Sequence, residues 1–287
     1  MSNLMRDYFA LTKPRITWLI LMSTGVGYFF GLRGEWDLLT LLHTILGTGL
    51  LASGTATLNQ WYERDEDAKM HRTERRPIPA GRVTPAKAAI FGILLSAAGF
   101  LELSLAVNLL TGLLGLITLA SYLLLYTPLK KRSSLSTTVG AFPGAMPPLI
   151  GFAAASGTLT AQAWVLYVIL FLWQFPHFYS IAWMYREDYG RAGILMLPVV
   201  EPDGRSTSRE IVLYSLALIP ASLLPALLSM SGRIYLCGAL VLSSFYFYTG
   251  LRVLLERTAL RARKVLLASV LYLPLLYGLM LLDRPGL

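Results

Sequence analysis

Three side chains that carry oxygen atoms follow the second apolar stretch of this sequence at four-residue spacing: Asn59, Glu63 and Asp67. If the helix continues through them, the i, i+4, i+8 spacing places all three on one face. Such a cluster at a membrane edge is costly without a cation, and its oxygen atoms suit Mg²⁺, which binds through one or two carboxylates plus substrate phosphates. The sequence therefore predicts a Mg²⁺ site. The alternative, a solvated acidic loop, is disfavoured by the register and the membrane-edge position.

Basic residues follow this acidic segment directly. The run contains Arg72, Arg75 and Arg76, and the planar fork of arginine suits phosphate oxygens. Acids followed by arginines are what a magnesium diphosphate site requires, because carboxylates hold the metal and cations hold the remaining phosphate charge. Lys13 and Lys130, which flank the first and fourth apolar stretches, are further candidates for the diphosphate. The alternative for the arginines is binding of anionic lipid together with signalling of topology, and the alternative for the two lysines is signalling of topology alone.

A second polar segment follows the sixth apolar stretch. His177 lies within that stretch beside Pro176, and Asp188 lies eleven residues later, about three helical turns away on a similar face. A histidine inside a membrane helix is expensive unless it has a partner or a function. His177 is therefore either a packed structural residue or part of a binding site, and the residues alone leave both open.

The elements that position these residues are predicted to be membrane helices. The chain has 287 residues, 55% of them hydrophobic and 14% charged, whereas a soluble domain carries about 25% charged residues. Its single cysteine excludes a disulfide within the chain. The net charge of +9 does not indicate nucleic-acid binding, because the basic residues recur loop by loop between apolar stretches.

Nine stretches are apolar enough to cross a bilayer, which takes about 20 residues of helix. They cover residues 16–32, 38–58, 86–107, 109–127, 135–155, 164–183, 211–230, 234–251 and 265–282. Only a turn signal around Asn108 separates the third stretch from the fourth, so eight helices are the alternative. We predict an all-α polytopic membrane protein with nine transmembrane helices around a central cavity.

The distribution of basic residues predicts the orientation, because Lys and Arg in short loops stay on the cytoplasmic side. With the N-terminus inside, the outer side holds only Arg33, Arg233 and Arg284 of the 25 Lys and Arg. We therefore predict a cytoplasmic N-terminus and an active site that faces the cytoplasm, where both long polar loops lie. No cleavable signal peptide is expected, because the N-terminal segment carries Asp7 and no cleavage site follows promptly.

The sequence resembles the UbiA superfamily of intramembrane prenyltransferases, whose mark is an Asn and two acids at four-residue spacing after the second helix and another acidic motif after the sixth. Within it, the chain is similar to the branch that farnesylates heme. The resemblance lies in Asn59, Trp61, Glu63, Asp65, Asp67, Met70, Arg72 and Thr73, then Trp173, Gln174, Pro176, His177, Phe178, Asp188, Tyr189, Ala192, Gly193, Met196, Leu197 and Pro198. It covers nearly the whole chain and implies that residues 1–287 form a single UbiA-type prenyltransferase membrane domain.

The resemblance implies a Mg²⁺-dependent enzyme that transfers a farnesyl group from farnesyl diphosphate to a vinyl group of heme b, with addition of water, giving heme O. The implied catalytic and metal-ligating residues are Asn59, Glu63, Asp67 and Asp188. The implied heme-binding residues are His177, Trp173 and Gln174. The wider superfamily has a second acid four residues from the one matching Asp188, whereas this chain has Met184 and Ala192 there, which leaves the second set of metal ligands open.

The implied location is the cell inner membrane, and the implied partners are membrane lipid, terminal-oxidase assembly and heme A synthase. Two other functions stay open: the same prenyl transfer to a quinone precursor, and non-catalytic transport of heme or lipid. Transporters place ionisable groups near the bilayer midplane. The acids here cluster at the inner interface beside arginines, which favours the enzyme.

Overall fold

The structure is a computed structural model that describes residues 3–34 and 37–285. All regular structure within these ranges is helical. The chain forms two compact units, the first made of Met1–Leu159 with Asp188–Ile194 and the second of Thr160–Glu187 with Leu195–Leu287. An all-α polytopic membrane architecture, predicted from the apolar stretches, is confirmed.

The first unit contains nine α-helices: α1 (Asn3–Leu11), α2 (Pro14–Gly31), α3 (Leu38–Tyr62), α4 (Arg64–Asp67), α5 (Pro85–Glu102), α6 (Leu109–Ala120), α7 (Thr127–Leu129), α8 (Ser136–Gly144) and α9 (Pro147–Ser156). Two π-helical turns, Leu103–Val107 and Ser121–Tyr126, extend α5 and α6. The helix α11 (Arg186–Arg191) begins in the second unit and ends in the first. The second unit contains α10 (Ala161–Met184), α12 (Leu197–Val200), α13 (Arg205–Leu227), α14 (Arg233–Leu255) and α15 (Ala259–Leu282).

All nine predicted apolar stretches fall on helices. Within the described residues, eight spans are long and apolar enough to cross a membrane, and α2, with 18 residues, is not among them. The number of nine transmembrane helices, the central cavity and the cytoplasmic N-terminus therefore stay predictions.

Small residues set the helix packing of the first unit. A Cβ added at Gly99 of α5 would lie 2.5 Å from the backbone nitrogen of Leu51 in α3, and one added at Gly151 of α9 would overlap the carbonyl oxygen of Thr24 in α2. Glycine lets two membrane helices approach until their backbones touch. The first contact holds α3, whose C-terminal end carries the acidic residues, against α5, and the second holds α9 against α2.

The helices are interrupted at one place that the sequence predicted and at one that it did not. The third and fourth stretches separate at Asn108, whose side chain accepts a hydrogen bond from the Thr111 backbone N–H at 2.9 Å and caps α6. The fifth stretch divides into α8 and α9, and Pro147 and Pro148 begin the second half, where proline is tolerated because its missing N–H is not needed.

Glu102, at the C-terminal end of α5, pairs with His43. The Nδ1 atom of His43 lies 2.6 Å from Oε1 of Glu102 and connects α3 to α5. A carboxylate inside a membrane protein requires such a partner. The pair therefore explains Glu102 as a contact between these two helices.

Candidate active site

The acidic residues keep their predicted spacing although α3 ends before them. The helix ends at Tyr62, and Glu63 has φ −91° and ψ 14° before α4 begins. The backbone N–H of Glu63 still donates to the carbonyl of Asn59 at 2.9 Å, and that of Asp67 donates to the carbonyl of Glu63 at 2.8 Å. Asn59, Glu63 and Asp67 are 1%, 8% and 1% exposed. We call these three residues the oxygen stripe.

Glu63 pairs with Lys130, which the π-helical turn Ser121–Tyr126 and α7 bring to the stripe. The Nζ atom of Lys130 lies 2.6 Å from Oε1 of Glu63 and 4.5 Å from the ring centroid of Tyr126. Burial raises the pKa of Glu63, but the charge and hydrogen bond of Lys130, together with the charge of Lys13 and a hydrogen bond from Asn59, outweigh burial, and the net pKa is lowered. Burial likewise lowers the pKa of Lys130, but the carboxylate of Glu63, together with Tyr126 and Tyr122, outweighs burial, and the net pKa is raised well above the usual value. Both groups are therefore charged at neutral pH.

Asp67 pairs with Arg76 in the polar loop that follows. The Nη1 atom of Arg76 lies 2.8 and 2.6 Å from the two carboxylate oxygens. The hydroxyl of Thr73 donates to the backbone carbonyl of Asp67 at 2.8 Å, which folds the loop back onto the stripe. A guanidinium group has five N–H donors, so an arginine that pairs with one carboxylate still has donors available for another anion.

Lys13 connects the N-terminal segment to Asn59, the remaining member of the stripe, because its Nζ donates to Oδ1 of Asn59 at 3.0 Å. It has φ 49° and ψ 58°, a left-handed conformation that is strained for a residue other than glycine. The preceding Leu11 is fully buried, and its carbonyl accepts a hydrogen bond from Nε2 of Gln60 at 2.7 Å. Burial, followed by the charge of Arg76, lowers the pKa of Lys13 to about 7.

Asp188 belongs to the same unit as the oxygen stripe. Its Oδ2 accepts from the backbone N–H of Arg72 at 3.3 Å, and Arg191 pairs with its Oδ1. The guanidinium of Arg72 lies 5.5 Å from the ring centroid of Tyr189 and donates to its hydroxyl at 3.1 Å. The acid of the second motif thus contacts the arginine loop that follows the first motif, as one phosphate site would require.

The remaining predicted site residues are Arg75 in the first unit and three residues in the second. The side chain of Arg75 is 93% exposed and lies 4.0 Å from Glu74, so a phosphate role for Arg75 requires movement toward the stripe. Trp173, Gln174 and His177 lie on α10 in the second unit. Trp173 donates from Nε1 to the Ser269 carbonyl at 2.9 Å, and Gln174 donates from Nε2 to the Leu170 carbonyl at 3.2 Å.

The donors of the oxygen stripe suit a divalent metal ion. One amide and two carboxylate groups, all buried, offer hard oxygen ligands, and a carboxylate retains lone pairs after pairing with one cation. Each member already binds a basic side chain, so a metal would share or displace Lys13, Lys130 or Arg76. Among the described residues, no group of three His, Cys, Asp or Glu is arranged to hold a metal. The fit therefore depends on Asn59 and on oxygens that a substrate supplies.

Two partners of this site were not predicted. Lys131 pairs with Glu66, which is 4% exposed, and Tyr126 packs under Lys130. The Tyr126 contact follows a four-residue spacing and could have been found from the sequence. The Glu66 pair could not, because it joins α4 to a distant loop.

Comparison with known proteins identifies the family. Residues 20–273 match the model of the UbiA prenyltransferase family. The protoheme IX farnesyltransferase of Solibacter usitatus is 69% identical over 292 residues, which span 99% of this chain and 100% of that relative.

Two solved structures share the fold. The structure of a digeranylgeranylglyceryl phosphate synthase has a TM-score of 0.82 at 17% identity, covering 99% of this chain and 100% of that one. A UbiA homologue from Archaeoglobus fulgidus bound to GPP and Mg²⁺ has a TM-score of 0.65 at 17% identity, covering 96% and 99%. At such identity the likeness concerns the fold alone.

Because the family model and the Solibacter relative both match nearly the whole chain, the protein belongs to the UbiA prenyltransferase family.

Proposed function

We propose that this member of the UbiA prenyltransferase family transfers a farnesyl group from farnesyl diphosphate to a vinyl group of protoheme IX (heme b), with addition of water, giving heme O and diphosphate. The observation that carries the reaction type is the buried oxygen stripe, in which Asn59, Glu63 and Asp67 each bind a basic side chain. The name and 69% identity of the full-length Solibacter relative support farnesyl as the donor group and protoheme IX as the acceptor.

We assign the metal to the same stripe. Asn59, Glu63 and Asp67 would hold Mg²⁺, with Asp188 as the acid from the second motif, and the ion would supply positive charge that stabilises the diphosphate as it leaves. The Archaeoglobus fulgidus homologue, which binds GPP and Mg²⁺, supports this assignment. The short distance from Asp188 to the arginine loop supports its place in the site.

Basic residues around the stripe would bind the diphosphate oxygens. Lys13, Lys130 and Arg76 already lie within 3.0 Å of stripe oxygens, and Arg72 contacts Asp188. Their charge would stabilise the diphosphate more strongly as the bond to it breaks and negative charge develops. Arg75, which is exposed, would join only after the loop closes on the donor.

The reaction needs no nucleophile from the protein. The C1–O bond of farnesyl diphosphate breaks, and its electron pair leaves with the diphosphate. The π electrons of the vinyl group form the new carbon–carbon bond to the allylic cation. Water adds to the cation that results on the heme side chain and releases a proton. Aromatic faces stabilise such cations. The rings of Tyr126, which contacts Lys130, and of Tyr122, with its centroid 4.9 Å from that of Tyr126, would supply such faces near the stripe.

His177, Trp173 and Gln174 would bind the heme. The ring of His177 stacks on that of Trp173 with centroids 4.9 Å apart, and an imidazole is a common ligand of heme iron. Residues 1–287 would act as one prenyltransferase domain. The protein would lie in the cell inner membrane with its active site facing the cytoplasm and would supply terminal-oxidase assembly or a heme A synthase.

Mass spectrometry tests the reaction directly. Purified protein is incubated with heme b, farnesyl diphosphate and Mg²⁺, with and without chelator, and the porphyrins are extracted. A gain of one farnesyl group plus water that chelator abolishes is the expected result. Release of diphosphate only with an aromatic acceptor would replace heme by a quinone precursor, and no turnover with either acceptor would favour a transporter.

A further inference from the structure

A serine on α15 contacts the proposed heme-binding histidine. The Nδ1 atom of His177 lies 2.7 Å from Oγ of Ser269, and the backbone carbonyl of Ser269 accepts from Nε1 of Trp173 at 2.9 Å. Ser269 is fully buried, and His177 is partly buried. One residue of α15 therefore binds both rings of the stacked His177–Trp173 pair on α10.

The single proton of the Ser269 hydroxyl decides the direction of these hydrogen bonds. The hydroxyl lies 2.6 Å from the backbone carbonyl of Leu266, which can only accept. If the proton is donated there, the Ser269 oxygen is an acceptor toward His177, and Nδ1 must carry the hydrogen. The Tyr246 hydroxyl, which also hydrogen-bonds the Ser269 side chain, donates its own proton to the Trp173 carbonyl 3.4 Å away. It can therefore only accept from Ser269, which again directs the Ser269 proton away from His177.

A neutral imidazole carries one proton, so the nitrogen that does not bind Ser269 keeps its lone pair. We propose that Ser269 is a positioning residue that holds His177 as the Nδ1–H tautomer and thereby presents Nε2 as a ligand to the iron of the acceptor heme. The inference rests on the proposed function, because it takes heme as the molecule that His177 binds. Histidine ligands commonly donate their other N–H to a fixed acceptor, which sets both tautomer and ring orientation.

Nitrogen NMR tests the tautomer without any heme. The chain has three histidines, so protein labelled with ¹⁵N-histidine in detergent gives few signals, and comparison with His177→Ala assigns the one of interest. The spectrum is recorded at about pH 8, above the ordinary pKa of imidazole. We expect a protonated Nδ1 and an unprotonated Nε2 in the wild type and loss of this preference in Ser269→Ala. A protonated Nε2 in the wild type would overturn the proposal.

A matched control removes a similar hydroxyl that lies away from His177. The Ser222 hydroxyl donates to the Leu218 carbonyl at 2.7 Å and lies 2.5 Å from the Tyr272 hydroxyl. Ser222→Ala therefore removes a comparable buried hydrogen bond from the same unit. It should leave the His177 signal unchanged. An equal tautomer change in both variants would show a general loss of packing and would also overturn the proposal.

Titration with ferric heme tests the consequence for the ligand. The absorption and electron paramagnetic resonance spectra of the wild type should indicate histidine ligation, and this signature should be lost in His177→Ala. Loss of an outer hydrogen-bond partner of a metal ligand typically costs 10- to 100-fold in metal affinity. We therefore expect Ser269→Ala to bind heme at least about 10-fold more weakly than the wild type. Ser269→Thr keeps the hydroxyl and should recover most of this loss. Unchanged heme affinity and spectra in Ser269→Ala would refute the positioning role. If the proposed function failed, farnesyl transfer would be absent although the tautomer and heme spectra were as expected.

Discussion

Removal of Lys130 should leave the carboxylate of Glu63 buried without its main partner. The two side chains are 14% and 10% exposed, and the distance from Nζ to Oε1 is 2.6 Å. At this separation the Coulomb attraction is about 6 kcal/mol with an effective dielectric constant near 20. Much of that energy is offset by the cost of removing two charges from water. Loss of one partner from such a buried pair typically destabilises a protein by about 3–5 kcal/mol.

The net coupling of the pair follows from a double-mutant cycle. We expect Lys130→Met to lower the free energy of unfolding by about 3 kcal/mol or more, and the double variant with Glu63→Gln to recover most of this loss, because no charge is then left buried. The coupling energy should be about 3 kcal/mol. The measurement is reversible unfolding in mixed detergent micelles with increasing dodecyl sulfate, followed by tryptophan fluorescence.

An exposed pair in the same segment provides the control. Arg64 and Asp65 lie 3.8 Å apart with side chains 37% and 73% exposed. Their cycle should give less than about 1 kcal/mol, as for surface ion pairs in general. A coupling between Glu63 and Lys130 in this same low range would refute the claim that the oxygen stripe is a buried, charge-balanced site.

Three further predictions follow from the site and the packing. Asp67→Asn should keep the protein folded, because the oxygen of the new side-chain amide can still accept from Arg76. Farnesyl transfer should fall at least about 100-fold. Substantial activity in this variant would show that Asp67 is not part of the metal site. Because the pKa of Lys13 is lowered to about 7, the charge of Lys13 is lost as the pH rises through that value. The kcat/KM for farnesyl diphosphate should therefore fall above about pH 7 in the wild type but not in Lys13→Arg. Identical pH profiles of the two proteins would contradict this role. Gly151→Ala should lower stability by about 3 kcal/mol in the same unfolding assay because its Cβ would overlap a backbone carbonyl, whereas Gly25→Ala, which meets nothing within 4 Å, should be neutral or slightly stabilising.

Much of the candidate site was predictable because it is local in sequence. The spacing of Asn59, Glu63 and Asp67 specifies one stripe wherever the backbone stays close to helical, and hydrogen bonds between each residue and the one four positions later maintain it even past the end of α3. The break at Asn108 was also visible, since a side chain that caps a helix acts on its own next turn. Apolar runs likewise specified the membrane helices, because a backbone in lipid must satisfy its hydrogen bonds within the segment.

The partners of these residues were decided only by the tertiary structure. Lys13 lies 46 positions from Asn59, Lys130 lies 67 positions from Glu63, and Ser269 lies 92 positions from His177. The sequence by itself determined that basic residues would be near the acids and that the histidine would need a partner. It could not determine which cation meets which oxygen, or which group meets the imidazole. Helical register is set by bonds between residues a few positions apart, whereas these contacts depend on how separate helices pack, and packing is decided by the shapes of all the side chains between them.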